Sequence, residues 1–344
     1  MGLFDFIRLD RPTLVIAAVL AGAAAHPVAA QTSVKFSIDS KFEGPAAIFL
    51  VPLDKGYFKA AGLDVTIDEA ASAQEPIARV ASGSYDMAFA DINALIRYRD
   101  NNGAAPIKAV FMVYNIPPYA IVARKSKGIT EPRQLEGKRL GAPPTGTTVG
   151  EWSLFAKING IDTSKVTIEN VAIPVRAPML AAGQLDAALG FSFRLYIDVK
   201  DRGVDVNDLL LMQMANYGLK LYGNAIIVNP KFAAEKPEAV KAFLAAFLKG
   251  LKETVRRPGD AVESIVKRDD LAKKEVELER LRMAIRDNIV TPEVRADGYG
   301  GVLTARFAEA IDQIALSHTF KNKPKPEDVF DASFLPPLDA RKVH

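Results

Sequence analysis

The chain has no cysteine and only three histidines, His26, His318 and His344. Disulfides, thiolate nucleophiles, cysteine-based zinc sites and iron–sulfur clusters are therefore excluded. Imidazole-centred acid–base or metal chemistry has little material, because two of the three histidines lie in peripheral segments. An excess of one charge is also missing. Lys and Arg number 44 against 41 Asp and Glu, a net +3, and the basic residues are dispersed rather than gathered into the patch that nucleic-acid binding requires. Long apolar runs are scarce too, and the strongest one falls well short of the roughly 20 residues of a spanning helix. What remains is an average composition, 49% hydrophobic and 25% charged over 344 residues, which excludes a disordered chain or a multi-span membrane protein and leaves room for two domains. The expectation is a non-enzymatic protein with no catalytic residues, no metal and no cofactor.

The first thirty residues have the order of a secretory signal. Arg8 and Arg11 precede the apolar run Leu14-Val15-Ile16-Ala17-Ala18-Val19-Leu20, and Val28-Ala29-Ala30 supplies the small-residue cleavage pattern before Gln31. A signal peptide over 1–30, cleaved after Ala30, is expected. No cysteine follows to carry a lipid, so the mature chain is expected free in the periplasm as a monomer.

From Val34 onward short β-rich runs alternate with helical stretches, which predicts βα units and largely parallel sheets. Strands are expected near 34–38, 63–67, 85–90, 107–114, 119–123, 138–142, 166–171, 186–189, 209–214 and 224–228. A helix over 46–61 contains Pro52, which should kink or split it. The stretch 237–255 places Val240, Phe243, Leu244, Phe247, Leu248 and Leu251 on one stripe of 3.6-residue period, read as core. An internal repeat stands out. Residues 81–90 align with 181–190, matching at Ala81, Gly83, Asp86 and Ala88, and a proline precedes each copy. Each copy reads as a helix, a glycine stop at the left-handed position, a short loop and a buried strand, which favours two related lobes.

Lys55-Gly56-Tyr57-Phe58-Lys59-Ala60-Ala61-Gly62-Leu63-Asp64-Val65, then Val80-Ala81-Ser82-Gly83 with Asp86, Gly128-Ile129 through Leu135-Glu136-Gly137-Lys138, Gly183 through Ala188, and Asn229-Pro230 into Pro237-Glu238-Ala239-Val240 follow one another in a familiar order. In these residues the chain resembles the nitrate/sulfonate/taurine-type periplasmic binding proteins of ABC importers, which share a superfamily with the fungal thiamine-pyrimidine synthases. The resemblance covers about 34–335. It implies a type II periplasmic binding protein fold: α/β, two lobes, a hinge and an interlobe ligand cleft. Lobe one would comprise 31–120 plus 223–344 and lobe two 121–222, with the crossings near Pro117-Pro118 and Tyr222-Gly223. It implies a substrate-binding component that captures a small polar, anionic solute such as a sulfonate, nitrate or carboxylate and delivers it to an ABC permease and its ATPase. The alternative is a protein that binds or makes a thiamine-pyrimidine precursor. The synthase resemblance would imply use of pyridoxal phosphate and a histidine with an iron-binding cysteine motif, and this chain lacks every cysteine of that motif.

Ligands of open α/β sheets sit beyond the carboxyl ends of the strands, where helix N-termini offer free N–H groups. The loops there nominate the candidate ligand-binding residues. Thr145, Thr147 and Thr148 flank Gly146 before a helix and can hold an oxyanion or serve as a plain cap. Arg176 and Arg194 can clamp a carboxylate or sulfonate, with Lys41 a further cation. Phe42 and Phe191 can stack on a planar ligand or plug the core. Ser72, Asp91 and Asn93 occupy strand-to-helix loops, Asp91 equally suited to capping the helix that follows. Tyr119 and Tyr222 stand near the presumed crossings. Trp152, the lone tryptophan, is read as packed.

Overall fold

The computed structural model describes Gly2 and residues 31–103, 105–144 and 146–343. The expected export signal and candidate Thr145 lie outside the described residues. Among the described residues ten strands form two five-stranded sheets. The first holds β1 (Thr32–Ser37), β2 (Leu63–Asp68), β3 (Met87–Asp91), β4 (Lys108–Met112) and β10 (Asn224–Val228), in the order β2-β1-β3-β10-β4. The second holds β5 (Tyr119–Arg124), β6 (Arg139–Ala142), β7 (Thr167–Asn170), β8 (Ala187–Phe191) and β9 (Leu209–Gln213), in the order β7-β6-β8-β5-β9. The orders are the same once β1, β2, β3, β10 and β4 are matched to β6, β7, β8, β5 and β9. The chain passes between sheets after β4 and returns before β10.

Hydropathy explains the positions of the strands. Edge strand β2 alternates, burying Leu63, Val65 and Ile67 and exposing Asp64 and Thr66. The central β3 is buried throughout, as a strand covered on both faces must be. The expectation of largely parallel sheets needs one correction. In each sheet the fourth strand runs antiparallel to both neighbours: β10 to β3 and β4, and β5 to β8 and β9. Those two strands follow the crossings, so they enter their sheets from the opposite end.

The helices that position the site are α1 (Ala47–Asp54), α2 (Tyr57–Ala60), α3 (Glu75–Ser82), α4 (Ile92–Asn101), α5 (Trp152–Ile158), α6 (Ile173–Ala181), α7 (Ser192–Asp201), α8 (Pro237–Arg256) and α9 (Lys274–Ala284). The stretch expected to be one helix over 46–61 does break, but at Gly56 with φ 68° rather than at Pro52, which stays inside α1. The proline ring is accommodated because α8 offers Gly250 opposite it; a Cβ there would lie 2.4 Å from the Pro52 Cδ. The apolar stripe of α8 is core, as read from its period. Phe243 stacks on Phe36 at 5.0 Å and on Phe58 at 4.8 Å, and Phe247 on Phe49 at 5.0 Å. Trp152 is buried beside Phe155. No described helix is long and apolar enough to cross a membrane.

The internal repeat is a structural one. Gly83 and Gly183 end α3 and the turn after α6 with φ of 75° and 71°. Asp86 accepts from the Lys35 amide and Asp186 from the Arg139 amide, both at 2.8 Å, so each aspartate ties the incoming loop to the neighbouring parallel strand. Strands β3 and β8, and helices α4 and α7, then begin and end 100 residues apart.

Candidate ligand-binding cleft

The carboxyl ends of β1, β3 and β8 open on one cavity of about 340 Å³, counting the space continuous with solvent. Its first wall is the segment after β1: Ile38, Asp39, Ser40, Lys41, Glu43, Pro45 and Ala46, with Phe49 and Phe89 behind. Its second wall is Phe191, Phe193 and Arg194, where β8 becomes α7, and Tyr114 from the outgoing crossing lies between them. The rings form a continuous row from one sheet to the other. Phe49 meets Phe89 at 4.9 Å, Phe89 meets Tyr114 edge-on at 5.2 Å, Tyr114 meets Phe193 at 6.0 Å, and Phe193 meets Phe191 at 5.7 Å. Phe49, Phe89, Tyr114 and Phe193 are nearly fully buried and form the floor of the cavity, and Phe191 is the partly exposed ring of the row.

Of the four charged side chains that line the cleft, Arg194, Glu43 and Asp39 act on one another. Arg194 Nε donates to Glu43 Oε2 at 2.6 Å, across the gap between the two walls. Burial alone would pull the Arg194 guanidinium down, but Glu43 and then Asp39 hold it above its usual range. Asp39 is 8% exposed and accepts from Asn224 Nδ2 at 2.7 Å; burial pushes its carboxyl up against the pull of Arg194. Burial also raises the Tyr114 hydroxyl well above its ordinary value. A brace closes the outer side. On α9, Arg280 pairs with Asp198 of α7 and with Glu277, whose Oε2 accepts the Gly44 amide at 2.6 Å. Gly44 is required there, since a Cβ would lie 2.0 Å from the Glu277 carbonyl oxygen.

The candidates read from sequence are dispersed over the molecule. Lys41, Phe191 and Arg194 line the cleft. Asp91, Asn93, Tyr119 and Tyr222 instead tie the base of the molecule together. Asp91 caps α4 by accepting the Ala94 amide at 2.8 Å and also accepts the Tyr119 hydroxyl; Asn93 donates to that hydroxyl at 2.9 Å and to the Tyr222 carbonyl at 2.7 Å. The Tyr222 hydroxyl donates to Glu293 at 2.7 Å and accepts the Leu303 amide. These four side chains are buried and engaged with one another or with the C-terminal segment, and they are not among the cleft-lining residues. Phe42 is half-buried against the first sheet's core, and Ser72 is exposed ahead of α3. Thr147 and Thr148 are buried in the one-turn helix Thr147–Gly150. The helix expected to follow these threonines therefore begins at Thr147 and breaks at Glu151, whose carboxylate takes both Nη atoms of Arg97. Arg176 stands apart: it is 4% exposed, on the first turn of α6, with no ion-pair or hydrogen-bond partner among the described residues.

Sequence reasoning did not nominate Asp39, Tyr114, Phe89, Phe193 or Phe49. Asp39 follows the first strand directly, and that position is the signal that would have found it. The aromatic residues carried none, since a ring facing a cleft and a ring in a core have the same spacing.

A family model described as NMT1/THI5 like matches residues 45–261. The chain is 27% identical over 224 residues to a riboflavin-binding protein of Chloroflexus aurantiacus, a match covering 63% of this chain and 61%, less than two thirds, of that protein. It is 25% identical over 340 residues to a formylaminopyrimidine-binding protein of Halalkalibacterium halodurans, covering 96% of this chain and 99% of that one. A 4-amino-5-hydroxymethyl-2-methylpyrimidine phosphate synthase of Candida albicans is 28% identical over 60% of this chain and 62% of its own. Among solved structures, the periplasmic aliphatic sulphonate binding protein of Escherichia coli superimposes with a TM-score of 0.70 at 11% identity, covering 89% of this chain and 94% of that chain, a likeness of fold. The fold is the two-sheet α/β architecture expected of type II periplasmic binding proteins.

Proposed function

The chain belongs to the NMT1/THI5-like family, and from that premise we propose that it is the substrate-binding component of an ABC-type importer, capturing one small polar solute between two lobes without transforming it. Lobe one is taken as 31–120 plus 223–344 and lobe two as 121–222, hinged where the chain crosses between sheets. The single observation that carries this reading is the aromatic row with its facing charges, set where the strand ends of both sheets converge. Ligands of such sheets bind at that edge. Occupancy would favour the closed arrangement, shifting a population already sampled by the hinge. The closed form would then dock on a permease driven by its ATPase, with the protein acting as an exported periplasmic monomer.

The solute is proposed to be anionic, a sulfonate, nitrate or carboxylate, because lobe two carries a buried arginine, Arg176, that pairs with no carboxylate among the described residues. A second reading, a pyrimidine-type heterocycle, is favoured by Asp39 and Glu43 on lobe one, which can accept from ring amines, and by the relatives that bind formylaminopyrimidine and riboflavin. Synthesis of a pyrimidine has less support here: the cleft lining contains no histidine, and His318 is paired with Asp100 away from that lining.

A thermal-shift screen over sulfonates, aliphatic and aromatic carboxylates, nitrate and pyrimidines tests the reading. One anionic class is expected to raise the melting temperature in proportion to the logarithm of its concentration. Stabilisation by cationic compounds alone would refute the anionic assignment, and turnover of a bound compound would refute the binding role.

A further inference from the structure

The two copies of the internal repeat differ at the strand end beside the cleft, where Arg176 and Ser192 lie next to its lining residues Phe191, Phe193 and Arg194 without lining it themselves, and the differences share one chemical direction. In lobe one, Asp91 ends β3 and caps α4, accepting the amide of Ala94. The residue 100 positions on is Phe191, which has no acceptor, and α7 has no side-chain cap. An α-helix leaves its first amides without internal partners, and in α7 no side chain accepts from them. The first helical residue changes from Ile92 to Ser192, whose buried hydroxyl has no partner among the described residues. Ala90 becomes Gly190, and Pro76 becomes Arg176.

The last two changes belong together. A Cβ on Gly190 would lie 3.2 Å from Arg176 Nη2 and 3.0 Å from Leu195 Cβ, so the glycine opens the space that the guanidinium reaches into, at the end of β8. Arg176 Nε is buried without a partner. Burial, and after it the neighbouring Arg194, pull the guanidinium down to about 10 against the opposite pull of Asp198, so it remains charged at neutral pH. Arg194 itself is answered by Glu43. Lobe one thus has a self-satisfied helix start, whereas lobe two has a helix start surrounded by donors lacking acceptors.

We propose that Arg176, Ser192 and the uncapped first turn of α7 form an oxyanion subsite of lobe two, which takes the carboxylate, sulfonate or phosphate group of the solute whose remaining part lies against Phe191 and Phe193. This rests on the solute-binding reading and narrows it: lobe two holds the charged end, and Arg194 with Glu43 joins the walls. The one carboxylate that acts on Arg176, Asp198, is already bonded to Arg280, and a buried charge so weakly answered is costly to the empty protein and is neutralised by a bound anion.

Calorimetric titration of the purified protein with inorganic sulfate, inorganic phosphate, methanesulfonate and acetate tests it, beside urea unfolding of the ligand-free protein. At least one oxyanion is expected to bind. Arg176→Gln should weaken it tenfold or more while leaving the ligand-free urea midpoint unchanged or higher, the opposite of what a structural arginine would do. Lys165→Gln, an exposed charge elsewhere on lobe two, should leave the affinity within twofold. If Arg176→Gln fails to fold, Ser192→Ala carries the test, with at least threefold weakening expected. Equal affinity in the variant, or no oxyanion bound by the wild type, overturns the subsite. If either of these is found and a neutral or cationic compound from the screen still stabilises wild type and Arg176→Gln alike, the subsite falls and cleft binding stands; if no compound binds at all, both fall.

Discussion

Asp91 holds a proton unusually well for a carboxylate. It is 1% exposed, and burial pushes it up to about 6 against the hydroxyl of Tyr119 and the amide of Ala94. An unfolded chain releases that proton near 3.9. The folded state therefore binds it more tightly, and the stability it contributes is complete below about pH 4 and lost as pH rises through about 6. Urea unfolding of wild type and Asp91→Asn between pH 4 and 8 is expected to show the wild type gaining on the variant as pH falls across that window. A difference independent of pH would contradict the assignment. The capping role of Asp91 was legible in the sequence, because a carboxylate between a buried strand and an amphipathic helix has an obvious donor to meet. That Tyr119 and Tyr222 turn inward was not. Loop position indicates that a side chain is near an edge, and which of two crossing segments engages it is decided by contacts 26 and 81 residues away.

Among the elements, periodic apolar patterning carried the most information. The α8 stripe was readable from its spacing and buries the rings it lists onto the first sheet. Phe243→Ala, at a fully buried ring stacked on Phe36 and Phe58, is expected to lower unfolding stability by about 3–5 kcal/mol. Leu271→Ala, at a side chain 90% exposed, should change it by less than about 0.5 kcal/mol. Comparable losses at both sites in urea unfolding would contradict the packing described. Element ends were harder to read. Pro52 suggested a break that the structure places at Gly56, because α8 yields room at Gly250 and the left-handed turn falls where glycine permits it. Likewise the break at Glu151 depends on its pairing with Arg97, 54 residues away, which no local window contains.

At the scale of the molecule, the order of short motifs and the repeat at 100 residues made two related α/β units legible before any geometry. The antiparallel fourth strand of each sheet was not, since strand direction follows from the crossings and not from local hydropathy. Nor were the charges that join the walls: Arg194 with Glu43 and Arg280 with Asp198 are 151 and 82 residues apart. Those pairs hold the walls in the arrangement seen, so the proposed capture of a solute implies that they separate and rejoin. The chain contains no native thiol, so two introduced cysteines label cleanly. Ala71 follows β2 and Val175 lies in the first turn of α6 after β7, exposed positions beside the matching edge strands of the two sheets. In Ala71→Cys/Val175→Cys protein carrying a fluorescent pair, single-molecule energy transfer should show a distribution that moves to shorter separation on adding the compound that most raises the melting temperature. An unchanged distribution at saturating bound compound would contradict capture by closure of the cleft.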